Sequence, residues 1–213
     1  MTRAPTQSTH RPRTLRELAG LHSRPPAPGE ATLVVIDAQR AYAVDGALPL
    51  AGIEKAIHQV ARLLGHTRSI GGPIVHVSHV GPARSAFDPS DGGRFIPEAA
   101  PADGESVVTK LLPNAFAGTN LAEQLRAGPG QRLVLCGFMT HMCISTTARA
   151  ALDLGFDATV IGDATATRAL PATSDGGTVP AEVVHRAALA ALADRFADVI
   201  GTDDLLAAGT TRR

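Results

Sequence analysis

The chain is poor in lysine, cysteine and aromatic residues: its 213 residues include 2 cysteines, and aromatic side chains make up 3% of it. Two cysteines cannot form a disulfide framework, and no secretory signal pattern precedes the apolar segments, so we expect the protein in a reducing cytoplasm. No apolar run approaches the roughly 18 residues that a membrane span requires. The 20 basic and 20 acidic residues balance, which favours neither nucleic acid nor a membrane surface as a partner.

Lysine is scarce even though basic residues are not. Among the 20 basic residues, only Lys55 and Lys110 are lysines. Arginine stays protonated in proteins, whereas burial can tune the pKa of a lysine. A chain that otherwise uses arginine is expected to keep lysine where an ammonium group is specifically required.

The first 29 residues differ in composition from the remainder. They contain five arginines and a single acid, Glu17, with frequent Pro, Ser and Thr. This composition predicts a flexible basic arm over residues 1–29, with a candidate short helix at 14–21, followed by one domain over 30–209. The arginine-rich, acid-poor character is also typical of organellar transit peptides, but the amphipathic length of such a peptide is lacking.

From residue 31 onward, apolar runs alternate with helical patterns. Short apolar runs predict strands at 32–37, 73–80, 106–110, 132–137, 157–163 and 197–201. Helical spacing predicts helices at 52–70, 119–127, 140–154, 180–195 and 202–208. The alternation predicts a three-layer α/β/α, Rossmann-like fold with a six-stranded parallel sheet. The long connections 81–105 and 163–179 are either functional loops or plain surface excursions.

Three chemically reactive side chains follow strands of the predicted sheet. Asp37 ends the first strand, Lys110 ends the third, and Cys143 follows the fourth after a short turn. Ligands bind beyond the carboxyl ends of the strands in open parallel sheets. A carboxylate, an ammonium and a thiol are therefore predicted to converge there as a nucleophilic site.

The two cysteines are predicted to differ in reactivity. With Thr140 as a helix N-cap, Cys143 would be about the third helical residue, where free backbone N–H groups and the helix dipole favour a thiolate. A neighbouring Lys110 would lower the pKa of the thiol further, and Asp37 would exchange its proton. Cys136 lies inside an apolar strand and is predicted to be a buried apolar residue. A disulfide between the two would have to bridge strand and helix in a reducing compartment, which disfavours it.

Three stretches of the chain resemble a known superfamily. "LVVIDAQRAY" at 33–42, "VTKLLPNAFAGT" at 108–119 and "LVLCGFMTHMCISTTARAALDLGF" at 133–156 resemble, in order, the motifs of the isochorismatase-like cysteine hydrolases. This superfamily includes nicotinamidases and N-carbamoylsarcosine amidases. The resemblance extends from about residue 31 to residue 206, which is nearly everything beyond the arm.

The resemblance implies a role for each reactive residue. Asp37 would be the general base and acid, Lys110 its ammonium partner, and Cys143 the nucleophile. A cis peptide bond between Phe138 and Met139 would aim the backbone amide of Met139, together with that of Cys143, at an oxyanion. The resemblance also implies a homo-oligomer, either a dimer or a tetramer, that acts on a small molecule.

The same resemblance bears on metals and cofactors. Nicotinamidases of this superfamily carry an Asp-x-His motif and further histidines that bind a metal, whereas Asp45 of this chain has no histidine following it. His76 and His79 are three positions apart on one predicted strand, so their side chains point to opposite faces of the sheet. We therefore expect no metal site and no cofactor.

Several polar and aromatic residues in or near these motifs are candidates for substrate contact, with ordinary packing as the alternative for each. His141 lies two residues before the nucleophile, on a turn where its side chain is expected to point elsewhere, so substrate contact or exposure is favoured over catalysis. His79 lies near the carboxyl end of its strand. The candidate substrate-binding residues are Gln39, Tyr42, His79, Asn114, Phe116 and His141.

The leading functional hypothesis is a metal-independent cysteine hydrolase. It would cleave a small amide, carbamoyl or lactam group through a thioester, because a thiol is useful in acyl transfer. Isochorismatases of the siderophore type, which hydrolyse a vinyl ether, typically lack this cysteine, and their chemistry is the alternative within enzymes. A non-catalytic binding module, with the basic arm recruiting a partner, is an alternative of another class.

Overall fold

The computed structural model describes residues 11–21, 24–27, 29–128, 130–173 and 176–208. Its largest sheet consists of the strands β1 (Thr32–Ile36), β2 (Ile74–His79), β3 (Ser106–Lys110), β4 (Arg132–Phe138), β5 (Asp157–Ala166) and β8 (Asp198–Ile200). Their order is β3-β2-β1-β4-β5-β8, and every neighbouring pair is parallel. The six-stranded parallel sheet predicted from the sequence is confirmed.

Helices cover both faces of this sheet, so the three-layer arrangement is confirmed as well. In β1, Leu33 and Val35 pack on the face covered by α2 (Ile53–Ser69). Val34 and Ile36 pack on the opposite face, covered by α3 (Leu121–Arg126) and α4 (Ser145–Asp153), as the two-residue repeat of a strand requires. No helix in the described ranges is long and apolar enough to cross a membrane. The helices are α1 (Leu15–Leu18), α2 (Ile53–Ser69), α3 (Leu121–Arg126), α4 (Ser145–Asp153), α5 (Ala181–Arg195) and α6 (Thr202–Ala208).

The connection predicted over 163–179 is shorter than expected. β5 continues to Ala166 because Thr165 and Ala166 pair with β4 beyond an irregularity in the register. A two-stranded hairpin of β6 (Leu170–Pro171) and β7 (Thr178–Val179) follows, and residues 174 and 175 lie outside the described part. In the sequence, the run of apolar residues stops at Asp163. This residue nevertheless lies inside β5, where its carboxylate accepts hydrogen bonds from the backbone N–H and the hydroxyl of Thr202.

The described part of the N-terminal segment is docked on the domain, although its composition predicts flexibility. The backbone N–H of Leu15 donates to Asp194 on α5, and Arg16 forms a largely buried ion pair with Asp198 at the start of β8, with 3.0 Å between their charged atoms. The short helix α1 lies within the predicted range 14–21. Residues 1–10 of the predicted arm lie outside the described residues.

Gly137 allows β4 to approach β1 closely, just before the chain turns toward Cys143. Its φ angle is +109°, a conformation that residues with a Cβ rarely adopt. A Cβ atom at this position would overlap the carbonyl oxygen of Ile36 on β1. The glycine is therefore required both by its backbone conformation and by the space available.

We expect Gly137→Ala to lower the free energy of unfolding by about 3 kcal/mol or more, because strain and overlap add. Gly65→Ala is the matched control, since Gly65 is exposed in the middle of α2 and a Cβ there meets no atom within 4 Å. That control should raise stability by roughly 0.5–1 kcal/mol. Urea unfolding measures both, and similar effects of the two substitutions would contradict the close approach at Gly137.

A polar cluster at the surface joins the end of α2 to the start of β3. Glu105 receives two hydrogen bonds from Arg68, at 2.7 and 2.9 Å, and one from the backbone N–H of Ala102. The same carboxylate lies 2.8 Å from Nε2 of His76 on β2. The hydrogen bonds from Arg68 are the main reason that the pKa of Glu105 is lowered to about 2.

This shift predicts how stability depends on pH. Because the pKa of Glu105 is lower in the folded chain than its ordinary value of 4.5, its stabilising contribution is fully present above pH 4.5 and is lost as the pH falls toward 2. Glu105→Gln should therefore reduce stability at pH 7 and flatten its pH dependence between 4.5 and 2. An unchanged slope in urea unfolding across that range would exclude this role for Glu105.

Candidate active site

The side chains of Asp37, Lys110 and Cys143 meet at the carboxyl edge of the sheet. Asp37 follows β1, Lys110 is the last residue of β3, and Cys143 lies in a π-helical turn, Thr140–Ile144, between β4 and α4. They are 0%, 1% and 5% exposed, so all three residues are almost entirely shielded from solvent. The structure brings together all three residues predicted from the sequence.

The ammonium group of Lys110 is the centre of this cluster. Its Nζ atom lies 2.7 Å from Oδ2 of Asp37 and 3.4 Å from the Sγ atom of Cys143. It also lies 3.4 Å from Nδ1 of His79, which ends the strand between those of Asp37 and Lys110. The contact with Asp37 is an ion pair with both side chains shielded from solvent.

The backbone is unusual at both ends of the cluster. Asp37 has a φ angle of +51°, in the left-handed region that Asp tolerates better than most residues. The peptide bond between Phe138 and Met139 is cis, at the position where the resemblance implies one. These two segments redirect the chain directly after β1 and after β4, where the site residues lie.

The helix start differs from the prediction for Thr140. Met139 is the residue that precedes the helical turn, and Thr140 is already inside it, so its side chain does not cap the backbone. The hydroxyl of Thr140 instead pairs with Nδ1 of His185 on α5, 3.0 Å away. Cys143 is thus the fourth residue of a π-helical turn, a feature frequent at functional sites.

The prediction of a lowered pKa for the Cys143 thiol is wrong for the site as the structure shows it. Burial, and next the charge of Asp37, raise the pKa of the Cys143 thiol to about 12, while Lys110 opposes this shift. Burial also raises the pKa of Asp37, again against the effect of Lys110. One buried cation balances one buried anion, so the three groups hold one proton between the carboxylate and the thiol.

An aromatic wall lies beside the reactive groups. The ring of Tyr42 packs edge-on against Phe87 and Phe138, with ring centres 5.4 and 6.0 Å away. Burial, followed by the charges of Asp37 and Cys143, raises the pKa of Tyr42. The side chain is buried in the core, and its predicted contact with a substrate stays a prediction.

Gln39 supports the site through hydrogen bonds to backbone groups beside it. Its side-chain amide donates to the carbonyl groups of His79 and Gly93, at 2.8 and 2.7 Å, and accepts from the backbone N–H of His79 at 2.9 Å. The residue is fully buried. Because its amide is occupied by backbone groups, the geometry assigns it to bracing the end of β2 and the loop over 81–105, and not to substrate contact as predicted.

Asn114 and Phe116 are also engaged in local structure. The Oδ1 atom of Asn114 accepts a hydrogen bond from the backbone N–H of Phe116, 3.0 Å away. The Phe116 ring stacks on Phe156, with ring centres 5.7 Å apart, and Phe156 directly precedes β5. Strands begin at the edge of the sheet opposite the reactive groups, so the prediction of Phe116 as a pocket wall is replaced by ordinary packing.

His141 points away from the nucleophile and toward the end of β5. Its Nδ1 atom pairs with the hydroxyl of Thr167. Burial, and then the charge of Arg168, lower the pKa of His141, and Arg168 also acts on the phenol of Tyr42. His141 is therefore engaged by Thr167 just beyond the end of β5, and the substrate contact predicted for it stays a prediction.

The second cysteine and the two histidines of β2 have different surroundings. Cys136 is fully buried within β4 and unpaired, and burial raises the pKa of its thiol, so it is packing and not a second nucleophile. His76 points to Glu105, and His79 points to Lys110, so the two histidines do not form a joint site. Among the described residues, no group of three or more His, Cys, Asp or Glu side chains could hold a metal ion.

Sequence reasoning did not single out Phe87, Thr167 or Arg168. Phe87 contacts both Tyr42 and His79, the latter with ring centres 4.8 Å apart. Its signal was that the loop over 81–105, which is rich in Gly, Pro and Asp, holds two of the chain's few aromatic residues, Phe87 and Phe95. Thr167 and Arg168 carried no such signal, because their position at the rim depends on how far β5 extends.

The fold and the buried cluster together define an α/β protein with a nucleophile site at the carboxyl edge of a parallel sheet. A model of the isochorismatase domain matches residues 31–204 of the chain. The chain therefore belongs to the isochorismatase family, and the protein is a hydrolase.

Individual relatives agree with this assignment. The chain is 40% identical over 177 residues to the isochorismatase family protein YddQ of Bacillus subtilis, covering 82% of this chain and 97% of YddQ. It is similar to the structure of an isochorismatase from Pseudomonas putida KT2440, with a TM-score of 0.86 and 42% identity over 91% of this chain and 99% of that one. A streptothricin hydrolase of Streptomyces noursei is 35% identical over 164 residues, 76% of this chain and 59% of that protein.

We expect Asp37→Asn to make Cys143 more reactive toward iodoacetamide. The substitution removes a charge that raises the pKa of the thiol and leaves Lys110 without a buried anion, so a thiolate becomes favourable. Alkylation at pH 7, in a Cys136→Ala background, should be at least about tenfold faster, since one pKa unit changes the thiolate fraction tenfold. Asp45→Asn is the control, because Asp45 is exposed and pairs with Arg40. An Asp37→Asn rate equal to or below that of the unsubstituted chain would exclude this charge balance.

Proposed function

We propose that the protein is a cysteine hydrolase that cleaves a carbon–nitrogen bond of a small amide, carbamoyl or lactam compound through a thioester. The observation that carries this proposal is the ammonium of Lys110 lying 2.7 Å from Asp37 and 3.4 Å from the thiol of Cys143, with all three side chains buried. Such a group supplies a nucleophile, a proton acceptor and a fixed positive charge within one contact shell.

In the first half of the reaction, Asp37 takes the proton of the Cys143 thiol as Sγ forms a bond to the carbonyl carbon. The carbonyl electron pair moves to its oxygen, which the backbone N–H groups of Met139 and Cys143 would stabilise. The carbon–nitrogen bond then breaks, and the leaving nitrogen takes the proton from Asp37. The products of this half are a thioester on Cys143 and a free amine or ammonia.

In the second half, water replaces the leaving group. Asp37 takes a proton from the water as the water oxygen attacks the thioester carbon, and collapse of the adduct breaks the bond between that carbon and Sγ. The proton returns to the sulfur, so Cys143 and Asp37 recover their starting states. The raised pKa of the thiol is compatible with this cycle, because the thiolate is needed only while the carbonyl carbon is within reach.

We infer the proposed class of substrate from the presence of the thiol and from one relative. A thiol is suited to acyl transfer and has no evident part in protonating a vinyl ether, so the isochorismatase-type reaction is the less favoured alternative. Streptothricin hydrolase is named for streptothricin as its substrate. For this chain we propose a lactam or another small amide. The loop over 81–105, which contributes Phe87 beside Tyr42, is the segment that we expect to select among such compounds.

We propose a reducing cytoplasm as the working compartment, because the described cysteines are unpaired and the mechanism needs a free thiol. The homo-oligomer that the resemblance implies stays a prediction. Size-exclusion chromatography with light scattering measures it.

We expect Cys143→Ala to abolish hydrolysis of every amide that the unsubstituted enzyme cleaves, with the fold intact by circular dichroism. A panel of primary amides, N-carbamoyl compounds and lactams, assayed for release of amine or ammonia, identifies the substrate, and intact mass spectrometry detects the acyl group on Cys143. Cys136→Ala is the matched control and should retain at least about half the activity, since it removes one buried thiol remote from the reaction. Unchanged turnover by Cys143→Ala would exclude the thioester route and favour vinyl ether chemistry.

A further inference from the structure

His79 is held from three sides at the end of β2. Its backbone N–H and carbonyl both bond to the side chain of Gln39, its ring packs edge-on against Phe87, and its Nδ1 lies 3.4 Å from the ammonium of Lys110. His79 and Lys110 are also directly paired in the register of β2 and β3, so their side chains leave the sheet side by side. A ring held in this way has a fixed orientation.

The ammonium group of Lys110 has three N–H bonds and three neighbours that can accept them. Asp37 offers Oδ2 at 2.7 Å, Cys143 offers Sγ at 3.4 Å, and His79 offers Nδ1 at 3.4 Å. Asp37 and Cys143 exchange a proton during the proposed reaction, whereas a neutral imidazole gives Lys110 a partner that stays uncharged. His79 therefore holds the cation without adding to the charge of the site.

This contact determines which nitrogen of His79 carries the proton. Lys110 can only donate, so Nδ1 must accept, and the neutral imidazole is protonated on Nε2. Burial, and next the charge of Lys110, lower the pKa of His79, which keeps the ring neutral at pH 7. Nε2 has no hydrogen-bond partner among the described residues and is not one of their buried unpaired polar atoms, so it is in contact with solvent and free to donate.

We propose that His79 is a positioning residue that holds Lys110 through Nδ1 and, in the resulting tautomer, presents its Nε2–H to a carbonyl or other acceptor of the bound substrate. The second half of this proposal rests on the proposed function, whereas the first half concerns Lys110 and Cys143 alone. Phe87 and Gln39 take part by fixing the ring and the backbone of His79.

Two substitutions separate the two nitrogens. In His79→Asn, the amide oxygen lies close to the position of Nδ1, so an acceptor for Lys110 is kept while the donor at Nε2 is lost. In His79→Gln, the longer amide brings a donor to the position of Nε2, and the acceptor at Nδ1 is lost. His58→Asn and His58→Gln are matched controls, because His58 is exposed on α2.

The first measurement needs no substrate. The rate of Cys143 alkylation by iodoacetamide is followed between pH 6 and pH 10 in a Cys136→Ala background. His79→Asn should keep the profile of the unsubstituted chain, whereas His79→Gln should move it upward by about one pH unit, because a displaced ammonium stabilises the thiolate less. If the Gln profile is unchanged, or if the Asn and Gln profiles shift equally, the contact between Nδ1 and Lys110 has no positioning role.

The second measurement uses the amide that the unsubstituted enzyme cleaves best in the panel. Loss of the Nε2 donor in His79→Asn should lower kcat/KM by at least about tenfold, which corresponds to one hydrogen bond of roughly 1.4 kcal/mol to the substrate. Unchanged kcat/KM in His79→Asn overturns the donor role. If Cys143→Ala is fully active, the proposed function fails instead, and the alkylation profiles still decide whether His79 positions Lys110.

Discussion

The ion pair between Lys110 and Asp37 is the interaction on which the site depends. Removing two such ions from water costs roughly several kcal/mol each, and their attraction offsets this only at close range and with good geometry. The separation of 2.7 Å supplies that range, although the two residues come from strands that are not neighbours. The long lysine side chain therefore has to cross the end of β2 to reach Asp37.

Charge balance explains why Cys143 is protonated in the buried site. With one cation and one carboxylate in a buried space, a thiolate would add a second, uncompensated anion, so the pKa of the thiol rises instead of falling. In the proposed reaction, one proton is redistributed between Asp37 and Cys143 while Lys110 stays between them. On that proposal, the thiol becomes a nucleophile only when an acceptor carbonyl is in place, because the thiolate and not the thiol is the reactive form.

The sequence predicted the sheet, its helices and the three central residues, because these depend on local periodicity and on one topological rule. Alternating apolar runs define parallel strands, and the carboxyl ends of parallel strands share an edge, which brings Asp37, Lys110 and Cys143 together. The same reasoning failed where a side chain's environment depends on tertiary contacts. The helix dipole suggested a thiolate at Cys143, but burial and the charge of Asp37 outweigh it, and Thr140 bonds to His185 on a distant helix.

Gln39 is a second residue whose environment depends on tertiary contacts that the sequence does not reveal. Its motif suggested a substrate contact, yet its amide is occupied by the backbone of His79 and of the loop over 81–105, which no spacing in the sequence reveals. That occupation has a consequence for the chemistry. A buried amide that bonds to both the backbone N–H and the carbonyl of His79 restrains this residue. In the proposed positioning role, its ring in turn holds the ammonium of Lys110, which contacts the two groups proposed to exchange a proton. On that proposal, a neutral polar chain behind the reactive atoms positions them, and a substitution in it would affect Cys143 without contacting it.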